Sequence, residues 1–149
     1  MEAEWQRLAA EEDAAWLALH ATFELITPDR FEEPKLTPEG WSAKDAMFHC
    51  AAWCAEAANQ LERIRLGTYV REPVDIEAMN AEWFEISRSL DAPTVRAELH
   101  AARTKMRQEW WELCEHAEPT PIATEWFVES GHVHFNDHRR QLEEWLEDG

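Results

Sequence analysis

The chain has 149 residues, 45% of them hydrophobic and only 4 of them glycine, which suits one domain with a core able to fold unaided and excludes disordered or collagen-like classes. Its 31 acidic residues against 14 Lys and Arg leave a formal charge of −17, a field that repels phosphate backbones and speaks against a nucleic-acid partner. The acids are spread along the chain, as solvated helix faces would have them.

The first stretch, "MEAEWQRLAAEEDAAW", is acidic and amphipathic, unlike a signal or transit peptide. Trp5, Leu8, Ala9, Trp16, Leu19, Phe23 and Ile26 recur at three- and four-residue steps, predicting one helix from about Glu2 to Ile26. Pro28, Pro34 and Pro38 then forbid continuation, so "TPDRFEEPKLTPEG" is expected to be a loop. A second helix opens at "GWSAKD", with Ser42 as N-cap, Asp45 as capping-box partner and Gly67 as its stop. Met47, Cys50, Ala51, Cys54, Ala58 and Leu61 share one side of it, and its many alanines allow a neighbouring helix to pack closely.

After the break "TYVREPVD", "IEAMNAEWFEISRSL" predicts a short helix on an excursion. A third long helix starts at Ala92 to Thr94 and ends before Pro119, and a last one runs from about Ile122 to Leu146. No strand pattern occurs. The expected fold is all-α: an up-and-down four-helix bundle, one domain over 1–149, with a longer excursion between helices two and three. No apolar run approaches the ~20 residues of a membrane span. Cys50, Cys54 and Cys114 form no C-x-x-C, and an odd count fits reduced thiols, so the expected location is cytoplasmic with no membrane partner.

Chemistry concentrates in the closing stretch, "GHVHFNDHRRQLEEWLEDG". At ~100° per residue Phe127, Gly131, His134, His138, Leu142 and Trp145 fall in one sector, with Phe135 on its flank and most charges opposite. His134 and His138 therefore face inward one turn apart, a spacing that aims both imidazoles the same way and suits a metal chelate. The competing explanation is two core histidines satisfied by hydrogen bonds, which needs two sets of buried partners. His132 lies off this face. A third ligand must come from another helix, with His20, His49, His100 and His116 as candidates. Periodicity does not separate His49 from His20, since both sit at the edge of an apolar stripe.

"GWSAKDAMFHCAAW" resembles the segment that opens the second helix in the DinB-like (DinB/YfiT) superfamily, and "HFNDHRRQLEEWL" is similar to that family's closing H-x-x-x-H helix. The stretch between them resembles the family's variable crossover and third helix. The resemblance implies a four-helix bundle carrying one divalent metal, with His49, His134 and His138 as ligands, and leaves His20 a structural or supporting role. Three neutral imidazoles around Zn²⁺ or Ni²⁺ leave a position open, the catalytic arrangement, in which a water's pKa falls to roughly 7 or a thiolate is activated.

The resemblance further implies an enzyme directed at a small electrophile. Transfer of a low-molecular-weight thiol such as mycothiol or bacillithiol is the first expectation, and metal-dependent hydrolysis the second. The alternative is a non-catalytic small-molecule-binding or stress-related bundle that keeps a metal site. A homodimer accords with family habit.

Trp41 and Trp53 bracket His49 and are candidates for a pocket mouth, packing of the bundle end being the other explanation. Asp45 is expected to cap its helix rather than orient His49. Cys50 and Cys54 are expected to be small buried residues. Asn80 and Trp83 are pocket candidates from the resemblance, and Gln141 is one from its place on the flank of the histidine pair. No residue presents itself as a general acid or base.

Overall fold

The computed structural model describes residues 2–149. They are helical with no strand, in the order α1 (Glu4–Glu24), α2 (Pro28–Phe31), α3 (Ala43–Leu66), α4 (Ile76–Arg88), α5 (Ala92–His116), α6 (Pro121–Val128), a π-helical segment (Glu129–Val133) and α7 (His134–Asp148). The class is all-α, as expected, but the elements are not four clean helices. The proline-rich segment expected to be loop throughout contains the single turn α2, because Pro28 sits at a first helical position where its missing N–H costs nothing. The last helix is interrupted by the π segment.

Local chemistry explains the boundaries. Ser42 Oγ accepts from the Asp45 amide at 3.1 Å, while Asp45 Oδ2 accepts from the Ser42 amide at 2.8 Å, a closed capping box. Gly67 ends α3 in the left-handed region at φ 77°, where a Cβ would be strained. Asp91 and Thr120 cap α5 and α6 in the same manner as Ser42, each followed by a proline in the first turn.

The alanine-rich face of α3 lies along α5 in the most extensive helix contact of the molecule, with Ala57, Ala58 and Leu61 at most 1% exposed. α1 packs against the π segment and α7. The core is one cluster that includes Leu19, Phe23, Cys50, Cys54, Met106, Trp110, Phe127 and Leu142. Trp110 stacks flat on Phe127 with ring centroids 4.4 Å apart. The excursion is tied down as well: Ser87 donates to Asp45 Oδ1 at 2.7 Å and Lys44 donates to the Leu90 carbonyl at 2.6 Å, which joins the end of α4 to the start of α3.

The π segment has identifiable neighbours. Gly131 departs from helical geometry at φ −98° and ψ −109°, and a Cβ there would lie 3.2 Å from Glu12 Cγ and 3.4 Å from Met106 Cε. Glu12 is fully buried, held by Arg103 at 2.8 and 3.1 Å and by Arg107, which also donates to the Ala9 carbonyl. A π turn carries more residues than an α turn, so α7 is rotated relative to a uniform continuation of α6. This is why Phe135, expected on the flank of the inward face, is fully buried, while Trp145, expected within it, is only half-buried.

Candidate metal centre

His49 stands two turns into α3, and His134 and His138 occupy the first turn and a half of α7, directly after the π segment. The three rings meet through their Nε2 atoms, with His134 Nε2 lying 2.9 Å from that of His49 and 3.0 Å from that of His138. One donor atom from each falls within 4.8 Å of the others, a cluster capable of coordinating a metal ion. His20, the candidate that periodicity could not separate from His49, packs instead against Trp16 and His100, 5.6 and 5.5 Å away between ring centroids. His132 points to Glu11, and His116 is exposed.

Hydrogen bonding alone does not account for this convergence. His138 Nδ1 lies 2.9 Å from Gln141 Oε1, and a carbonyl oxygen only accepts, so in this orientation of the amide Nδ1 is the ring's donor and Nε2 its lone pair. His134 Nε2 offers one in-plane hydrogen or one in-plane lone pair, so it can direct a straight hydrogen bond at one of its two neighbours and not at both. Three lone pairs aimed at one cation satisfy all three atoms. Two nitrogens each about 2.0–2.1 Å from an ion lie roughly 2.9–3.4 Å apart for angles between a right angle and the tetrahedral value, the spacing found here. The Nδ1 atoms of His49 and His134 are buried without a protein partner. The donor set thus fits a divalent metal of the kind that takes imidazole.

Burial also keeps the rings neutral. Desolvation, with the neighbouring His138 second, lowers the His49 pKa to about 3. The same two causes, followed by His49, lower that of His134 to about 2, and desolvation lowers that of His138 against its hydrogen bond to Gln141 and the neighbouring Asp137 carboxylate. In the metal-free protein these folded-state values lie below the unfolded 6.5, so the unfolded chain binds more protons and stability falls as pH drops from 6.5 toward the folded values. Near pH 5 His49 and His134 are together expected to give the unfolding free energy of chelator-treated protein a slope with pH that corresponds to roughly two protons. Urea titrations across pH 5–6.5 measure the slope, and a His49→Leu/His134→Leu variant with the same slope would refute the assignment.

A cavity of about 860 Å³ opens onto this centre. His49, Ser130 and His134 line it, α3 also contributes Trp53, Glu56, Gln60 and Arg63, and α6 contributes Ile122, Glu125 and Trp126. The segment from Tyr69 to Ile76 and the first turn of α4 with Met79 and Asn80 complete the wall. Trp53 Nε1 donates to Asn80 Oδ1 at 3.0 Å, which fixes two of the sequence-derived pocket candidates against each other. The other three lie off the cavity wall. Trp41 meets the edge of His49 at 5.2 Å and stacks on Phe84, Trp83 packs edge-on against Trp53, and Gln141 sits behind His138.

Asp45 spends both carboxylate oxygens on Ser42 and Ser87 and does not reach His49. Cys50 and Cys54 are wholly buried, with thiol pKa values pushed up by desolvation, to about 12 for Cys50. Sequence reasoning missed Tyr69, Trp126 and Arg63. A signal existed for Arg63, since it lies fourteen residues beyond His49, four helical turns along the same face of α3. Tyr69, on an irregular strap, carried none.

No family model, curated protein or solved structure matches the chain. No helix among the described residues is long and apolar enough to cross a membrane.

Proposed function

We propose that this chain is a DinB-like four-helix bundle that holds one Zn²⁺ or Ni²⁺ ion through His49, His134 and His138 and acts on a small electrophile. Transfer of a low-molecular-weight thiol is the first choice of reaction and hydrolysis the second. The observation that carries the proposal is the meeting of three neutral imidazole nitrogens at the edge of a cavity large enough for a small molecule. An ion held there by His49, His134 and His138 would supply Lewis acidity and an open position for a thiol or water, whose pKa it would lower toward neutrality.

The chain's own residues do the rest. His49, His134 and His138 stay uncharged and so present lone pairs at neutral pH. Trp53 and Asn80 brace each other on the wall of the cavity that His49 and His134 also line. Cys50 and Cys54 are buried and protonated, so a thiol that reacts in the cavity comes from a co-substrate.

The test is to assay metal-loaded protein and its chelator-treated form against epoxide and haloarene electrophiles, with mycothiol, bacillithiol and glutathione each as donor. Adduct formation that requires both metal and one of these thiols is expected. Stoichiometric metal with no adduct from any thiol, but with cleavage of an ester or amide panel, would move the assignment to a hydrolase. No turnover of either kind would leave a binding protein.

A further inference from the structure

We infer that Gln141 is a positioning residue whose amide oxygen holds the His138 ring in the one tautomer that turns a lone pair toward His49 and His134. For its consequence on metal binding, though not for the tautomer, this rests on the metal centre proposed above. The two residues stand three apart on α7 and therefore share a face. Gln141 Oε1 lies 2.9 Å from His138 Nδ1, while the Nδ1 atoms of His49 and His134 have no partner among the described residues. His138 is thus the one ring of the three whose hydrogen is placed by a neighbouring side chain.

The type of side chain matters. A histidine that ligates a metal through Nε2 commonly donates its Nδ1–H to a carboxylate or a carbonyl, and that outer contact sets both ring orientation and ligand basicity. In a chain with 31 acidic residues this place is taken by a neutral amide. An amide oxygen fixes the tautomer as a carboxylate would, but adds no negative charge of its own to a ligand that already feels the neighbouring Asp137 carboxylate, so it would diminish the positive charge of a bound ion less than a second carboxylate would. Were the amide turned over, its NH₂ would donate to Nδ1, Nε2 would carry the hydrogen, and His138 could not be a ligand. The two orientations predict opposite results.

The experiment uses ¹⁵N-labelled metal-free protein, and long-range ¹H–¹⁵N spectra report the His138 tautomer. The wild type is expected to show hydrogen at Nδ1, Gln141→Glu to keep it there because an ionised carboxylate only accepts, and Gln141→Leu to show a mixture. Zinc titration against a competing chelator is expected to find Gln141→Leu roughly 10–100-fold weaker than the wild type and Gln141→Glu at least as tight. Hydrogen at Nε2 in the wild type would overturn the inference, as would wild-type zinc affinity in Gln141→Leu or failure of Gln141→Glu to restore binding. A Gln141-dependent tautomer in a protein that binds no zinc would uphold the positioning role and remove the metal centre instead. Should Gln141→Leu not fold, the wild-type spectrum and the Gln141→Glu titration still decide between the two orientations.

Discussion

Replacement of His134 by alanine is expected to leave the protein folded and to abolish stoichiometric metal. Its Nε2 lies between the other two donors, at 2.9 and 3.0 Å, so its loss removes the shared neighbour of the set rather than a peripheral member. The remaining imidazoles belong to different helices, His49 on α3 and His138 on α7, and two such donors hold an ion far more weakly than three. The loss should exceed the roughly 10–100-fold that an outer partner of a ligand is worth. Folding should survive, because the His134 ring is half-buried, its Nδ1 has no partner, and the one hydrogen bond its Nε2 can make in the metal-free core is to another histidine of the cluster. His49→Ala should behave alike. Elemental analysis after dialysis, with circular dichroism as the folding control, measures both. Unchanged metal content in both variants would sink the centre.

The second large effect is one of stability. Glu12→Ala should cost about 3–5 kcal/mol, the range for breaking a buried ion pair by removing one partner. Glu12 is fully buried and receives Arg103 and Arg107 together, so its removal leaves two guanidinium groups that have lost their shared acceptor. Asp13 keeps one contact with Arg103, at 2.7 Å, and the Ala9 carbonyl keeps one with Arg107, which moderates the loss without cancelling it. For a chain of this length the midpoint of thermal unfolding should fall by roughly 10 °C. A shift within 2 °C would show that the cluster is solvated in solution. Because Glu12 Cγ packs beneath Gly131, the variant should also loosen the π segment that leads into His134.

Much of the local structure was legible from residue type. The Ser42–Asp45 capping box and the Gly67 stop act within a few residues of themselves, so they need no tertiary partner. The inward placement of His134 and His138 followed from spacing on one helix. The break in that helix did not. "ESGHV" contains a glycine, but no local rule turns a glycine into a π segment, and what packs there is Glu12 from α1 and Met106 from α5. The short α2 was also missed, since three prolines within eleven residues outweighed the single favourable first-turn position.

Class, the cap and stop of α3 and the paired histidines were determined by the sequence itself, because periodicity, capping and the geometry of one helix are properties of neighbours along the chain. Spacing left His49 and His20 level, and resemblance alone favoured His49. Tertiary structure brought His49 within 2.9 Å of His134, set His20 against Trp16 and His100, and opened the cavity beside the histidines. It also moved Gln141 from a presumed pocket wall to the back of His138. These are outcomes of which helix faces meet, and that is decided by how the whole core packs, with the π segment setting the final rotation of α7.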